Sequence, residues 1–440
     1  MIIDNEAAGA IRQPFFNVFG IIFHFHFSFS IKFCIFAAKL KSKFKSATMN
    51  PDKLINRTIA SAITNAMRYL PVVTLIGPRQ SGKTTLCRRL FDTLPYVNFE
   101  DVATLTEVKT DPKAFLGKFP QGLIIDEAQR FPEIFSYLQV AVDEDRLKGG
   151  DARRFIVTGS SNFALLQEVT QSMAGRTAIE TLLPLSVREL TEHGIAATTS
   201  QLILRGGYPS LWTADEDGRQ VLLSSYYSTY VERDLHQLIN VKDLQVFQTF
   251  VRLCAGRVGT EFNASSLSVE VGVSVPTIKS WLSVLEASYV VFQLHPYFSS
   301  VGKRLVKTPK LYFYDTGLAS WLMGINTVEQ LDVHPLRGAL FENLVVCEMM
   351  KRSLNAGDQP RLFFYRDRRQ HEVDLLEEQA DGTVHAYEIK SGATYRQDFF
   401  TQLSYLRSVL GEKLTLSQVL YDGDAENPQK SDGILNFRHI

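Results

Sequence analysis

Gly77-Pro78-Arg79-Gln80-Ser81-Gly82-Lys83-Thr84-Thr85 follows the apolar run Val72 to Ile76 and opens a helical stretch from Thr84 to Leu94. Its first eight residues match G-x-x-x-x-G-K-[ST] at every fixed position, between a strand and a helix, where the chemistry requires the loop. The glycines let backbone N–H groups wrap a phosphate, and the helix start adds its dipole. The pattern predicts that Gly77 to Thr85 cradle the phosphates of ATP. Lys83 would reach the β- and γ-phosphates, and the Thr84 hydroxyl would coordinate Mg²⁺.

A second stretch supports the first. Leu123-Ile124-Ile125-Asp126-Glu127 is an apolar strand ending in two carboxylates. Asp126 would hold Mg²⁺, and Glu127 would act as general base on the attacking water. At the end of the next apolar strand, Phe155 to Thr158, stands Gly159-Ser160-Ser161-Asn162. Ser160, or else Asn162, would contact the γ-phosphate or the water; the other reading is a hydroxyl-rich turn capping the next helix. For an arginine responding to the γ-phosphate, Arg176 ranks first, ahead of Arg153, Arg154 and Arg233. Each is equally readable as a surface ion-pair partner.

Outward from the loop, the strands Val72 to Ile76, Tyr96 to Phe99, Gly122 to Ile125 and Phe155 to Thr158 alternate with helical stretches. Such alternation predicts an α/β fold with a parallel sheet and crossover helices. An amphipathic helix over Leu54 to Leu70 leads in. Beyond Leu185 the strand signal fades into helical patterns over Arg219 to Ile239 and Leu244 to Ala255.

Together, GPRQSGKTT from Gly77, LIIDEAQ from Leu123, VTGSSN from Val157, Ala174-Gly175-Arg176, LPLSVREL from Leu183, RGGYP from Arg205 and YVERDL from Tyr230 resemble a prokaryotic group of AAA-type P-loop ATPases. The resemblance runs from about Leu54 to the end. It implies an AAA-like core over 49–186, a helical lid over 187–242, a winged helix over 243–304 and a C-terminal domain over 305–440, and it leaves the substrate open. Because many AAA proteins complete their sites across subunits, it also makes a homo-oligomer an expectation.

Asn263 to Val273 and Ser274 to Leu282 read as two helices joined at Gly272. Ser274 suits an N-cap, and Pro276 falls in the first turn, where proline is tolerated. This is a helix-turn-helix pattern, and the strand Val290 to Leu294 would begin a wing. Thr277, Lys279 and Ser280 would face a major groove, with Lys303, Arg304, Lys307 and Lys310 on phosphates. The competing reading is a module that packs on other domains and touches no DNA.

Glu342 lies on a helix over Gly338 to Arg352, Asp374 on a strand opening at Glu372, and Glu388-Ile389-Lys390 on a strand opening at Ala386. Strand alternation puts Glu388 and Lys390 on one face. With Asp374 on a neighbouring strand, two carboxylates would make a hard-oxygen site for Mg²⁺ or Mn²⁺. The order of an acid on a helix, then D, then E-x-K resembles the restriction-endonuclease-like nucleases. That resemblance implies catalytic roles for Glu342, Asp374, Glu388 and Lys390, with Asp374 and Glu388 on the metal. E-x-K also arises on exposed strands as a solvated charge pair.

The bulk numbers narrow the rest. Lys plus Arg (47) equals Asp plus Glu (47), so no global basic field announces nucleic acid, and any such contact must be local. The four cysteines are scattered without C-x-x-C or metal spacing, which fits a reducing cytoplasm. Phe15 to Ala38 is Phe-rich, long enough to span a bilayer and followed by Lys39, Lys41, Lys43 and Lys45. It reads either as an anchor or as a start placed upstream of a true Met49; residues 1–48 are therefore set aside, and a membrane role is disfavoured. Three functions remain: an ATP-driven enzyme acting on DNA or RNA, an ATP-dependent switch docking a protein partner, and a tethered ATPase.

Overall fold

Val72–Gly77 is short and apolar on both faces, the pattern of a strand buried in a parallel sheet, and it forms β1. Tyr96–Asn98 (β2), Gly122–Asp126 (β3), Arg154–Ser160 (β4) and Thr177–Thr181 (β5) join it in one sheet, in the order β2-β3-β4-β1-β5, with every pairing parallel. β5 is the strand that the sequence pattern does not announce. It is an edge strand, half-buried along most of its length, so it carries no apolar run.

These features come from a computed structural model that describes residues 54–149, 153–160, 169, 171–234, 244–297, 308–394, 396–427 and 432–440, without the side chains of 231–234. The apolar stretch 15–38, Ser161, Asn162, Lys303, Arg304, Lys307 and the Arg233 side chain lie outside the described residues. Among the described residues no helix is long and apolar enough to cross a membrane.

Ala60–Tyr69 (α1) and Lys83–Leu90 (α2) cover one face of the sheet, packing Ile63, Met67, Leu86 and Cys87 on Val73, Leu75, Ile124 and Ile156. Ile134–Leu147 (α3) covers the other, with Phe135, Leu138 and Val142 against Leu123, Ile125, Phe155 and Val157. Alternate strand residues thus feed opposite layers, which is why β1, β3 and β4 are mostly apolar on both faces. The lead-in helix starts at Ala60, later than the apolar spacing from Leu54 suggests.

Short helices follow: Val187–Glu192 (α4) and Thr199–Arg205 (α5), each opened by a capping box, from Ser186 with Glu189 and from Thr198 with Gln201. Glu216–Tyr226 (α6) runs into a π-helical stretch, Tyr227–Asp234, where one helix to Ile239 was expected. Leu244–Ala255 (α7) precedes Ala264–Val271 (α8) and Val275–Ala287 (α9). Asn263 caps α8, Gly272 closes it, and Ser274 caps α9. Trp281 of α9 sits edge-on to Phe247 of α7 at 5.3 Å between ring centres. Val291–Leu294 (β6) pairs antiparallel with Lys310–Phe313 (β7). That pairing crosses the expected 304/305 boundary, so β7 belongs with the helices before it.

Thr316–Leu322 (α10) leads to the long helix Arg337–Asn355 (α11). Leu362–Arg366 (β8), Glu372–Glu378 (β9), Val384–Lys390 (β10), Leu414–Tyr421 (β11) and Asp432–Asn436 (β12) build a second sheet, in the order β12-β11-β10-β9-β8. β8, β9 and β10 are antiparallel, whereas β10, β11 and β12 are parallel, and Thr401–Leu410 (α12) crosses between β10 and β11. One buried apolar cluster runs from Leu185 through Phe250 and Phe341 to Phe437, binding the segments after the first sheet to the second.

Candidate functional sites

The phosphate loop leaves the carboxyl end of β1, where the strand order reverses, the usual place for a ligand in an open parallel sheet. Gly77 has φ 142°, and a Cβ there would strike the Leu182 carbonyl, so no other residue fits. Gln80 takes a left-handed φ of 63° without being glycine, a strain characteristic of ligand loops. Lys83 Nζ donates to the carbonyls of Gly77 at 2.9 Å and Pro78 at 2.7 Å. Burial pulls its pKa down to about 8, against the opposing pull of Glu127 and Asp126.

Thr84 Oγ1 donates to Asp126 at 2.8 Å, and Tyr96 OH donates to the same carboxylate oxygen at 2.7 Å. Thr158 binds the other oxygen. The hydroxyl and carboxylate expected on Mg²⁺ therefore stand side by side. The Ser81 hydroxyl is buried without a hydrogen-bond partner among the described residues. An orphan donor beneath a phosphate loop fits a nucleotide.

Glu127 also has a left-handed φ, 57°, and burial raises its pKa above the ordinary carboxylate range. Both features suit a base held apart from solvent. Gln129 donates to Glu127 and, at 2.9 Å, to Ser160 Oγ. Ser160 pairs with Gly77 across β4 and β1, so it stands beside the loop. Gln129 was not among the expected site residues. Its signal was its place two residues after Glu127, which only the strained turn makes meaningful.

Arg57 was also missed. Its guanidinium donates to the Ser81 carbonyl at 2.7 Å, the Leu183 carbonyl at 2.6 Å and Glu189 at 3.1 Å. Nothing in its sequence neighbourhood marks it, since all three partners are distant in the chain.

The expected arginine is corrected. The Arg176 carbonyl accepts from Val72 at the start of β1, five residues of strand from Gly77, or about 16 Å at the usual rise. Its Nε and one terminal nitrogen donate to Asp143, each at 2.8 Å, and the other terminal nitrogen donates to the Ala174 carbonyl at 3.0 Å. Arg153 and Arg154 stand at this same far end, Arg153 paired with Asp145. Within one chain none of the three lies at the phosphate loop.

In the second sheet, Glu342 on α11, Asp374 on β9, and Glu388 and Lys390 on β10 come together. Lys390 Nζ lies 2.5 Å from Glu388 and 4.0 Å from Asp374. Asp374 accepts from the Ile389 N–H at 2.7 Å. Glu388 is 6% exposed, and its Oε2 is buried without a partner among the described residues. Burial first, and then Asp374, raise the pKa of both Glu342 and Glu388.

Lys310 is a second correction. Rather than facing a phosphate backbone it is 3% exposed, with Nζ 3.2 Å from Glu342 and 2.6 Å from Glu372. Tyr312, next on that face of β7, also donates to Glu342. Two ammonium groups thus stand among the acids. Among the described residues no three His, Cys, Asp or Glu side chains gather as a metal cage. On α9, Lys279 and Ser280 are exposed and Thr277 is half-buried.

Residues 70–191 match the family model described as an AAA domain. Residues 196–329 and 337–439 match two domains of unknown function, DUF8612 and DUF4143. An uncharacterized protein of Mycobacterium tuberculosis is 32% identical over 341 residues, covering 77% of this chain and 74% of the relative. The chain belongs to the same family as that protein. An uncharacterized protein of Haemophilus influenzae is 26% identical, covering 71% of this chain and 82% of the relative. A solved Walker-type ATPase of Pyrococcus abyssi, 14% identical, superposes with a TM-score of 0.39 over 62% of this chain and 97% of its own. The AAA domain with its P-loop makes this chain an ATP-binding protein of the ATPase type.

Proposed function

We propose that this chain is a Mg²⁺-dependent ATPase whose nucleotide state governs a nuclease-like C-terminal site acting on DNA or RNA. Asp374, Glu388 and Lys390 on adjacent strands, facing Glu342 on α11, are the observation that carries the second half. The division is a core over 49–186, a helical lid over 187–242, a winged helix from 243 extended through Phe313, and the nuclease-like domain beyond.

At the first site, Thr84 and Asp126 would hold Mg²⁺, which offsets phosphate charge. Lys83 and the loop N–H groups orient the phosphates, Glu127 takes the proton of the attacking water, and Gln129 fixes Glu127 against Ser160. An arginine on the γ-phosphate would come from a second copy of the chain. At the second site, Asp374 and Glu388 would hold Mg²⁺ or Mn²⁺, supplying an activated water and charge neutralisation. The orphan oxygen of Glu388 fits that role, and Lys390 orients the nucleophile.

A second reading is a switch that docks a protein. It is favoured by the outward face of α9, whose charge beyond the half-buried Glu286 is Lys279 alone. The experiment incubates the chain from Met49 with labelled single- and double-stranded DNA and RNA, with Mn²⁺ or Mg²⁺ and with or without ATP. Cleavage lost in Asp374→Ala and altered in Lys83→Ala supports the first reading. Absence of cleavage on every substrate sinks it and leaves the docking switch.

A further inference from the structure

Lys310 enters the acid cluster from outside the second sheet. It sits on β7, which pairs with β6 after the helix-turn-helix, yet its ammonium is buried against Glu342 and Glu372. Glu342 Oε1 is taken twice, by Lys310 and by the Tyr312 hydroxyl. Glu372 has its other oxygen 3.5 Å from Arg366 at the rim. Glu342 keeps its Oε2, but the one oxygen of this cluster buried without a partner among the described residues is Glu388 Oε2, on the strand beside Asp374.

Charge points the same way. The three buried carboxylates, Glu342, Asp374 and Glu388, face two ammonium groups, Lys310 and Lys390. With the three carboxylates ionised, as a bound cation would make them, that leaves one negative charge, 2 minus 3, and the Glu372–Arg366 pair at the rim adds none. One divalent cation takes the cluster to +1 and a second to +3, and uncompensated charge of that size is costly away from water. Resting on the metal-site reading above, we propose that Lys310 is a built-in cation occupying the Glu342 side, so that the site takes a single divalent ion between Asp374 and Glu388. Glu342 then serves as the seat of Lys310 and does not ligate the metal. Lys310 is a positioning residue, and it ties the β6–β7 pair to the cluster.

The test counts bound Mn²⁺ by paramagnetic resonance and calorimetry on the full chain without nucleotide. The ions lost from wild type to Asp374→Asn belong to this site. The expected loss is one, and Lys310→Met gains one more ion while Lys310→Arg gains none. A loss of two in Asp374→Asn overturns the inference with wild-type protein as the reference, whether or not Lys310→Met folds. A loss of one with no gain in folded Lys310→Met also overturns it, and leaves the metal-site reading intact. Equal counts in wild type and Asp374→Asn overturn the metal-site reading itself.

Discussion

Arg57 places one guanidinium nitrogen 2.7 Å from the carbonyl of Ser81, at the tip of the phosphate loop. Its other arms hold Leu183 and Glu189, and the Thr58 N–H adds a bond to the same Glu189 oxygen at 2.7 Å. A buried cation thus joins three segments that are neighbours only in space.

Removing this brace is expected to be costly. Arg57→Ala leaves Glu189, 2% exposed, as a buried carboxylate without its cation, and breaking such a pair costs about 3–5 kcal/mol. Denaturant unfolding should reveal a loss of that order. Arg57→Ala with Glu189→Gln should recover part of it, since the stranded charge is gone. Equal stability of wild type and Arg57→Ala would contradict the role.

At the hydrolytic centre, Glu127→Gln removes the base but keeps the shape and the bond from Gln129. ATP should still bind, while turnover falls by about 10²–10⁴. Lys83→Ala should lose binding itself. Radiolabelled ATP retention on a filter beside phosphate release separates the two effects. Turnover in Glu127→Gln at the wild-type rate would remove Glu127 from the mechanism.

The first sheet and its loop were legible because their signals are local. β1, β3 and β4 are apolar runs, and the phosphate loop and Asp126-Glu127 follow two of them directly. Leu244–Ala255 was readable to the residue from its helical spacing. What stayed hidden depends on long-range placement. β5 is a half-polar edge strand, Arg57 acts on partners 24 to 132 residues away, and Lys310 looks like any surface lysine beside Lys303 and Lys307. Arg176 misled for the converse reason: the Ala-Gly-Arg triplet says nothing about which end of the sheet it occupies.

Nucleotide affinity should fall above about pH 8. Lys83 in the folded chain titrates near 8 because burial disfavours its charge, and phosphate oxygens favour the charged form. Below pH 8 the ammonium is present and binding needs no proton. Above it, binding must take one up, so affinity drops by up to about tenfold per pH unit. Stability of the free chain runs oppositely. The lysine holds more protons unfolded than folded between pH 8 and its ordinary value, so stability rises with pH across that window. Titrations with a fluorescent ATP analogue from pH 7 to 9.5 check the first effect. A flat profile would mean Lys83 is not the group that meets the phosphates.

The junction between the end of α5 and the start of α10 turns on Gly206 and Asp315. Gly206 has φ 65° and ψ −156°, a region essentially closed to other residues, and a Cβ there would meet the Asp315 carboxylate. That carboxylate accepts from the Gly207 N–H at 2.7 Å and the Leu318 N–H at 2.9 Å. Gly206→Ala should cost about 1–3 kcal/mol from the backbone alone, and more from the displaced Asp315. Asp315→Ala strands two buried N–H groups at about 1–3 kcal/mol each, while Asp315→Asn keeps one acceptor and should fall between. Chemical denaturation of the three variants gives the order. Asp315→Ala as stable as Asp315→Asn would mean the two N–H groups find other partners and the junction does not depend on this carboxylate.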